Sequence, residues 1–207
     1  MKELELELNK AKQGVRDFIQ GAATGDLELM TASVDALDYE ERDGGGWARA
    51  MRAAARLISV PRETQEFFLQ VYIMNGDCIR EECDGLALAD GLRVVLPKYE
   101  GPAILLFRGE SFRNRSRRTY GFSWTSSADI AHSFAENGFY RTFDGGSVLL
   151  ETLAQPAAII CAPSLIDRRF GEKEYIVDRR GLTVVTAIDR FPQLSHEQFR
   201  KMSNAAA

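Results

Sequence analysis

The apolar positions change their spacing near the middle of the chain. Up to about residue 98 they recur at helical intervals; beyond that they alternate or run together in short blocks. Leu4, Leu6 and Leu8, followed by Val15, Phe18 and Ile19, predict a helix over about 3–20, punctuated by Gly21 and Gly25. Asp26 can cap a second helix over 27–36 by accepting from the free amides of its first turn. The run Asp43-Gly44-Gly45-Gly46 breaks the chain, and the Ala/Arg/Met-rich stretch 47–58 has high helix propensity. Arg49, Arg52 and Arg56 mark its solvated face. Pro61 ends that helix and opens another reaching about Cys83, with a wide apolar face from Phe67, Phe68, Val71, Tyr72, Met74 and Ile79. A shorter helix over 86–96 stops at Pro97.

From Gly101 the texture is that of strands. Ala103 to Phe107 is a near-continuous apolar run, read as a buried strand, and it ends in Arg108-Gly109-Glu110. An arginine at the end of a buried strand needs an anion. That anion is either an acid such as Glu110 or a ligand phosphate, and Gly109, which permits close backbone approach, favours the phosphate. A polar loop with Arg113, Arg115, Arg117 and Arg118 follows. A strand over 121–126 then leads into a helix capped by Ser126 or Ser127, with Ile130, Ala131, Phe134 and Ala135 inward. After a Gly-rich loop over 137–146 come four more strands, at 147–153, 157–161, 174–177 and 182–188. Short strands with one helix among them predict an α+β protein. A helical subdomain, 1–98, would pack on a mostly antiparallel two-sheet core, 99–207.

Composition narrows the setting. No stretch approaches the roughly 18 unbroken apolar residues of a bilayer span, and the acidic start is not a secretory signal, so no membrane partner is expected. Cys78, Cys83 and Cys161 form neither a disulfide framework nor a zinc pattern, which suits a cytoplasmic location and no metal. Residues 1–100 hold 12 Lys+Arg against 19 Asp+Glu, a net −7; residues 101–207 hold 14 against 11, a net +3. The positive half carries the candidate chemistry and suits a phosphate-bearing ligand.

That chemistry centres on Glu172-Lys173-Glu174, which opens the strand Tyr175-Ile176-Val177. Two residues apart on a strand, both carboxylates project to one side. Such a pair needs a solvated edge or a chemical use. Three separated pieces, Leu106-Phe107-Arg108-Gly109, Ser123-Trp124-Thr125-Ser126-Ser127 before a helix, and Glu172-Lys173-Glu174, together resemble the arginine–serine–glutamate class of mono-ADP-ribosyltransferases. The resemblance covers about residues 101–190.

The resemblance implies an ADP-ribosyltransferase-like core with NAD as substrate, Glu174 as the catalytic carboxylate and Glu172 as its acceptor-facing partner. It implies that Ser123 positions Glu174 and that Arg108, with Gly109 beside it, holds the NAD phosphates or adjacent ribose. Thr125 stands near the site, and Phe134 is the aromatic nearest the nicotinamide. Trp124 departs from the small hydroxyl usual in the Ser-Thr-Ser strand. Arg168, Arg169 and Phe170 occupy the target-recognition loop. The acceptor implied is a protein arginine, with nucleic acid open because of those loop arginines. An NAD glycohydrolase and a catalytically silent binding module are the alternatives, and a regulatory partner of the helical half is open.

Overall fold

Burying the apolar stripes of the first hundred residues takes five helices: α1 (Lys2–Thr24), α2 (Leu27–Tyr39), α3 (Gly46–Ala54), α4 (Arg62–Glu82) and α5 (Gly85–Val95). The computed structural model describes residues 2–39, 45–163 and 173–205. The chain divides into two units, 1–98 and 99–207. Each helix of the first unit lies where the apolar spacing predicts it, within a few residues at the ends. The exception is Gly21, which does not end α1. It sits inside the helix where α2 crosses it, and a Cβ there would stand 2.9 Å from the Met30 side chain. Asp26 caps α2 by accepting from the Leu29 amide at 2.9 Å. Phe18, Trp47 and Phe68 are fully buried and meet with ring centroids 5.5–6.0 Å apart, tying α1, α3 and α4 together. Arg49, Arg52 and Arg56 are exposed, as a solvated face should be.

The second unit contains β1 (Ile104–Ser111), α6 (Phe112–Arg117), β2 (Ser123–Thr125), α7 (Ala128–Asn137), β3 (Ser147–Ala154), β4 (Ile159–Cys161), β5 (Glu174–Val177), β6 (Thr186–Phe191) and α8 (His196–Ala205). Among the described residues the strands form one antiparallel sheet in the order β4-β5-β2-β1-β3-β6, where two packed sheets were expected. The physical reason is a single junction. The halves β4-β5-β2 and β1-β3-β6 are joined through the one pair Phe107↔Thr125, which makes them continuous.

Two further differences concern β1 and its successor. β1 runs on through Arg108, Gly109 and Glu110, since the two charges neutralise each other within the strand. The expected polar loop is helix α6, capped by the Ser111 hydroxyl accepting from the Asn114 amide and ended by Arg118 in the left-handed region (φ 55°). β6 begins four residues later than the apolar pattern suggests.

Alternation along the strands sorts the second unit into two faces. One carries Leu106, Trp124, Val148, Leu150, Tyr175 and Val177 into the main core. On the other, α7 lays Ala131 and Ala135 against Leu149, with Phe107 and Phe191 at the margin. Gly109 makes this close approach possible: a Cβ there would stand 2.5 Å from the Ala135 nitrogen and 2.8 Å from the Phe134 carbonyl carbon. The space a side chain would take at Gly109 is therefore filled by the helix backbone. Gly109→Ala should destabilise the second unit by about 1–3 kcal/mol through overpacking against rigid backbone, read as a lower denaturant midpoint.

Candidate functional site

Strand register assembles the site. Glu174 pairs with Thr125, Thr125 with Phe107, Phe107 with Glu151 and Glu151 with Thr186. Directly opposed residues share a face, so these five make one row across the sheet. Ser123, opposed to Ile176, lies on the same face two positions from Thr125. Thr125 is thus the residue beside Glu174, with Cβ atoms about 5 Å apart, and Ser123 stands one diagonal step further off. Sequence reasoning ranked these two hydroxyls the other way.

The start of β5 is held from the β2 side. The Ser126 amide donates to the Lys173 carbonyl at 3.3 Å, and the Thr125 hydroxyl accepts from the Ser127 amide at 3.1 Å, where α7 begins. Lys173, immediately before Glu174, adopts left-handed backbone (φ 49°), uncommon for a residue other than glycine. Phe134, expected inward on α7, is instead 52% exposed, so it is available to pack on a ligand. Glu172, Arg168, Arg169 and Phe170 lie outside the described residues. No group of three or more His, Cys, Asp and Glu side chains suited to a metal occurs among the described residues.

Arg108 leaves β1 on the face opposite Phe107, and therefore opposite Thr125 and Glu174. Its Nε donates to Glu110 Oε2 at 2.9 Å, its Nη1 to the Ser123 carbonyl, and its Nη2 to the Tyr140 hydroxyl at 3.3 Å. The anion this buried arginine needs is Glu110, as the alternative reading of the strand end held. With these partners the guanidinium braces the seam between β1 and β2. Gly121 makes room for it: a Cβ there would stand 2.3 Å from Nη2.

Glu110 is fully buried and accepts four hydrogen bonds. Oε2 takes the Arg108 Nε and the Gly121 amide; Oε1 takes the Ser111 amide and the Asn114 side chain. Desolvation pushes its acidity down, but the Arg108 charge and these donors outweigh it, and the pKa lies below the ordinary carboxylate value. Sequence reasoning did not anticipate Tyr140, Gly121 and the full acceptor load of Glu110. The available signal was the Arg-x-Glu spacing, which places both charges on one strand face.

No protein family, no curated protein and no solved structure matches the chain.

A depressed pKa means that Glu110 contributes stability which is fully present above the unfolded carboxylate value, about 4.3, and is lost as pH falls through the lower folded value. Glu110→Gln should cost about 3–5 kcal/mol at neutral pH, since it leaves Arg108 buried beside a neutral amide. In urea titrations the gap between the two proteins should close as pH is lowered from 5 toward 2.

Proposed function

We propose that the second unit is an NAD-dependent mono-ADP-ribosyltransferase. It would transfer ADP-ribose from NAD to a macromolecular acceptor, a protein arginine being the best match to a glutamate pair. One observation carries the reading. The three strands bearing the pieces of the resemblance, β1, β2 and β5, are distant in sequence yet adjacent in the sheet, with Glu174 directly beside Thr125. The helical unit takes no part in this argument.

The residues suit the chemistry. When the bond between the ribose C1′ and the nicotinamide nitrogen breaks, its electron pair leaves with nicotinamide, whose cationic ring becomes neutral. The ribosyl centre left behind is oxocarbenium-like. A fixed carboxylate bonded to a ribose hydroxyl stabilises that charge more than it stabilises the ground state, which lowers the barrier. The reading gives this role to Glu174, the first residue of β5, and the nicotinamide contact to Phe134, whose ring is exposed. An acceptor guanidino nitrogen then attacks C1′, a new C–N bond forms, and its proton passes to a carboxylate. The resemblance gives that last role to Glu172. Arg108 acts in this reading through Ser123, whose carbonyl it holds.

The test is incubation of the full chain and its Glu174→Gln variant with labelled NAD and a cell lysate. Nicotinamide release and label on protein or RNA are followed together. The expected result is label on protein, with release and transfer both falling at least about a hundredfold in the variant. Release without transfer would make the protein a glycohydrolase. Absence of both, with no NAD binding, would leave a silent binding module.

A further inference from the structure

The face that carries Glu174 does not end at Thr125. Continuing along the same row, Phe107 is half-buried and Glu151 stands beyond it. Leu105 and Leu153, directly opposed on the neighbouring row of that face, are 44% and 56% exposed. α7 covers this face at the level of Gly109 and Leu149, and Phe107 packs against the edge of that contact. Among the described residues this leaves a floor of exposed Leu105 and Leu153 and half-buried Phe107, with a carboxylate at either end.

Two features of this floor select its occupant. First, the strand residues on this face that carry charge are Glu151, Glu174 and Asp189, all acidic, and Asp189 is met by His132 at 4.0 Å. No lysine or arginine of a described strand faces this way. Second, Glu151 is only partly exposed, lies mid-strand between Leu149 and Leu153 on this face, and its carboxylate forms no hydrogen bond or ion pair with another described residue. A cation brought to this carboxylate meets no competing partner among the described residues. A nucleic acid, with its phosphates, would be repelled by the same row.

We infer that this open face of β1 and β3 is the acceptor-docking surface, and that it takes a basic, partly apolar protein segment rather than nucleic acid. The inference rests on the transferase reading of Glu174 and names its acceptor class. Glu174 and Glu151 are three strand spacings apart, about 14 Å, which an extended peptide covers in about four residues. The acceptor is accordingly a segment with an arginine delivered to the Glu174 end, where the ribosyl centre is held, and a second cation about four residues away at Glu151. Leu105, Phe107 and Leu153 take the apolar side chains between them.

The probe is a fluorescein-labelled peptide of leucine and alanine with one arginine and, four residues on, one lysine. Its binding to the full chain is measured by anisotropy, beside a single-stranded oligoribonucleotide of equal length. Peptide binding should weaken about tenfold in Glu151→Gln, and also in Leu153→Asp. The charge-swapped Glu151→Lys should prefer a peptide with glutamate in place of lysine, which a merely misfolded variant would not do. Binding indifferent to Glu151 and Leu153, or tighter binding of the oligoribonucleotide, overturns the inference. Nicotinamide release by the unaltered chain separates the two readings. Glu151-dependent peptide binding without any release keeps the docking surface and removes the transferase. Release that depends on Glu174, with peptide binding indifferent to Glu151, does the reverse.

Discussion

The second unit depends on one buried ion pair. β2 is hydrogen-bonded to β1 at a single residue pair and then departs from it, which leaves backbone groups of Gly121 and Ser123 without a ladder partner on β1. Arg108 and Glu110 supply them. The guanidinium binds the Ser123 carbonyl and the carboxylate binds the Gly121 amide, while the two side chains bind each other. A buried pair of this kind is weak evidence for extra stability, since desolvation offsets most of the attraction. Its use here is geometric. It holds the two half-sheets at one separation, so Thr125 meets β5 in a defined place.

Much of this arrangement was legible in the sequence, and the failures have identifiable causes. The five helices of the first unit follow from the 3.6-residue recurrence of large apolar residues, and Asp26 was recognisable as a cap. β5 was legible from Tyr175-Ile176-Val177 to the residue. β1 was cut short because a charged residue reads as the end of a buried strand. The opposing charge two positions on, which lets the strand continue, acts only once both side chains share a face. α6 was missed for a related reason: Arg113, Arg115 and Arg117 show no apolar periodicity, and its cap, Ser111, looked like part of the strand. Whether the strands make one sheet or two is a matter of long-range pairing that local composition does not encode.

The same distinction runs through the residues of the candidate site. Glu174 was found from a local feature, carboxylates at strand spacing. Arg108 and Gly109 were assigned to a ligand because each is costly or unusual where it stands, and that part was sound. What the sequence could not show is that the protein itself meets both needs, Arg108 through Glu110 and Gly109 through the backbone of α7. Trp124 belongs to the same account. It lies on the core face with Tyr175, opposite to Thr125, and its Nε1 donates to the Gly121 carbonyl at 3.1 Å. A bulky ring in place of a small hydroxyl therefore adds to the packing behind the sheet and does not fill the space above Thr125.

The whole assignment turns on a parity. Strand side chains alternate with period two, so a slip of one residue between β2 and β5 would exchange the faces of Glu174 and Tyr175. Several contacts oppose that slip. Tyr175 is held in the core edge-to-face against Tyr99, with ring centroids 5.9 Å apart, and Val177 and Ile176 are buried on opposite faces behind it. The Ser126 amide bond to the Lys173 carbonyl fixes the first residue of the ladder, and the Val177 amide donates to the Phe122 carbonyl at 2.8 Å at its last. The left-handed backbone of Lys173 is then a consequence of where β5 must begin. Residues 173 and 174 enter the sheet with the carboxylate on one face and the tyrosine in the core on the other. Strain of about 1 kcal/mol or more at a non-glycine in this region persists only where surrounding contacts enforce it. Here the buried Tyr175 enforces it, and the result is a glutamate on the open face of the sheet.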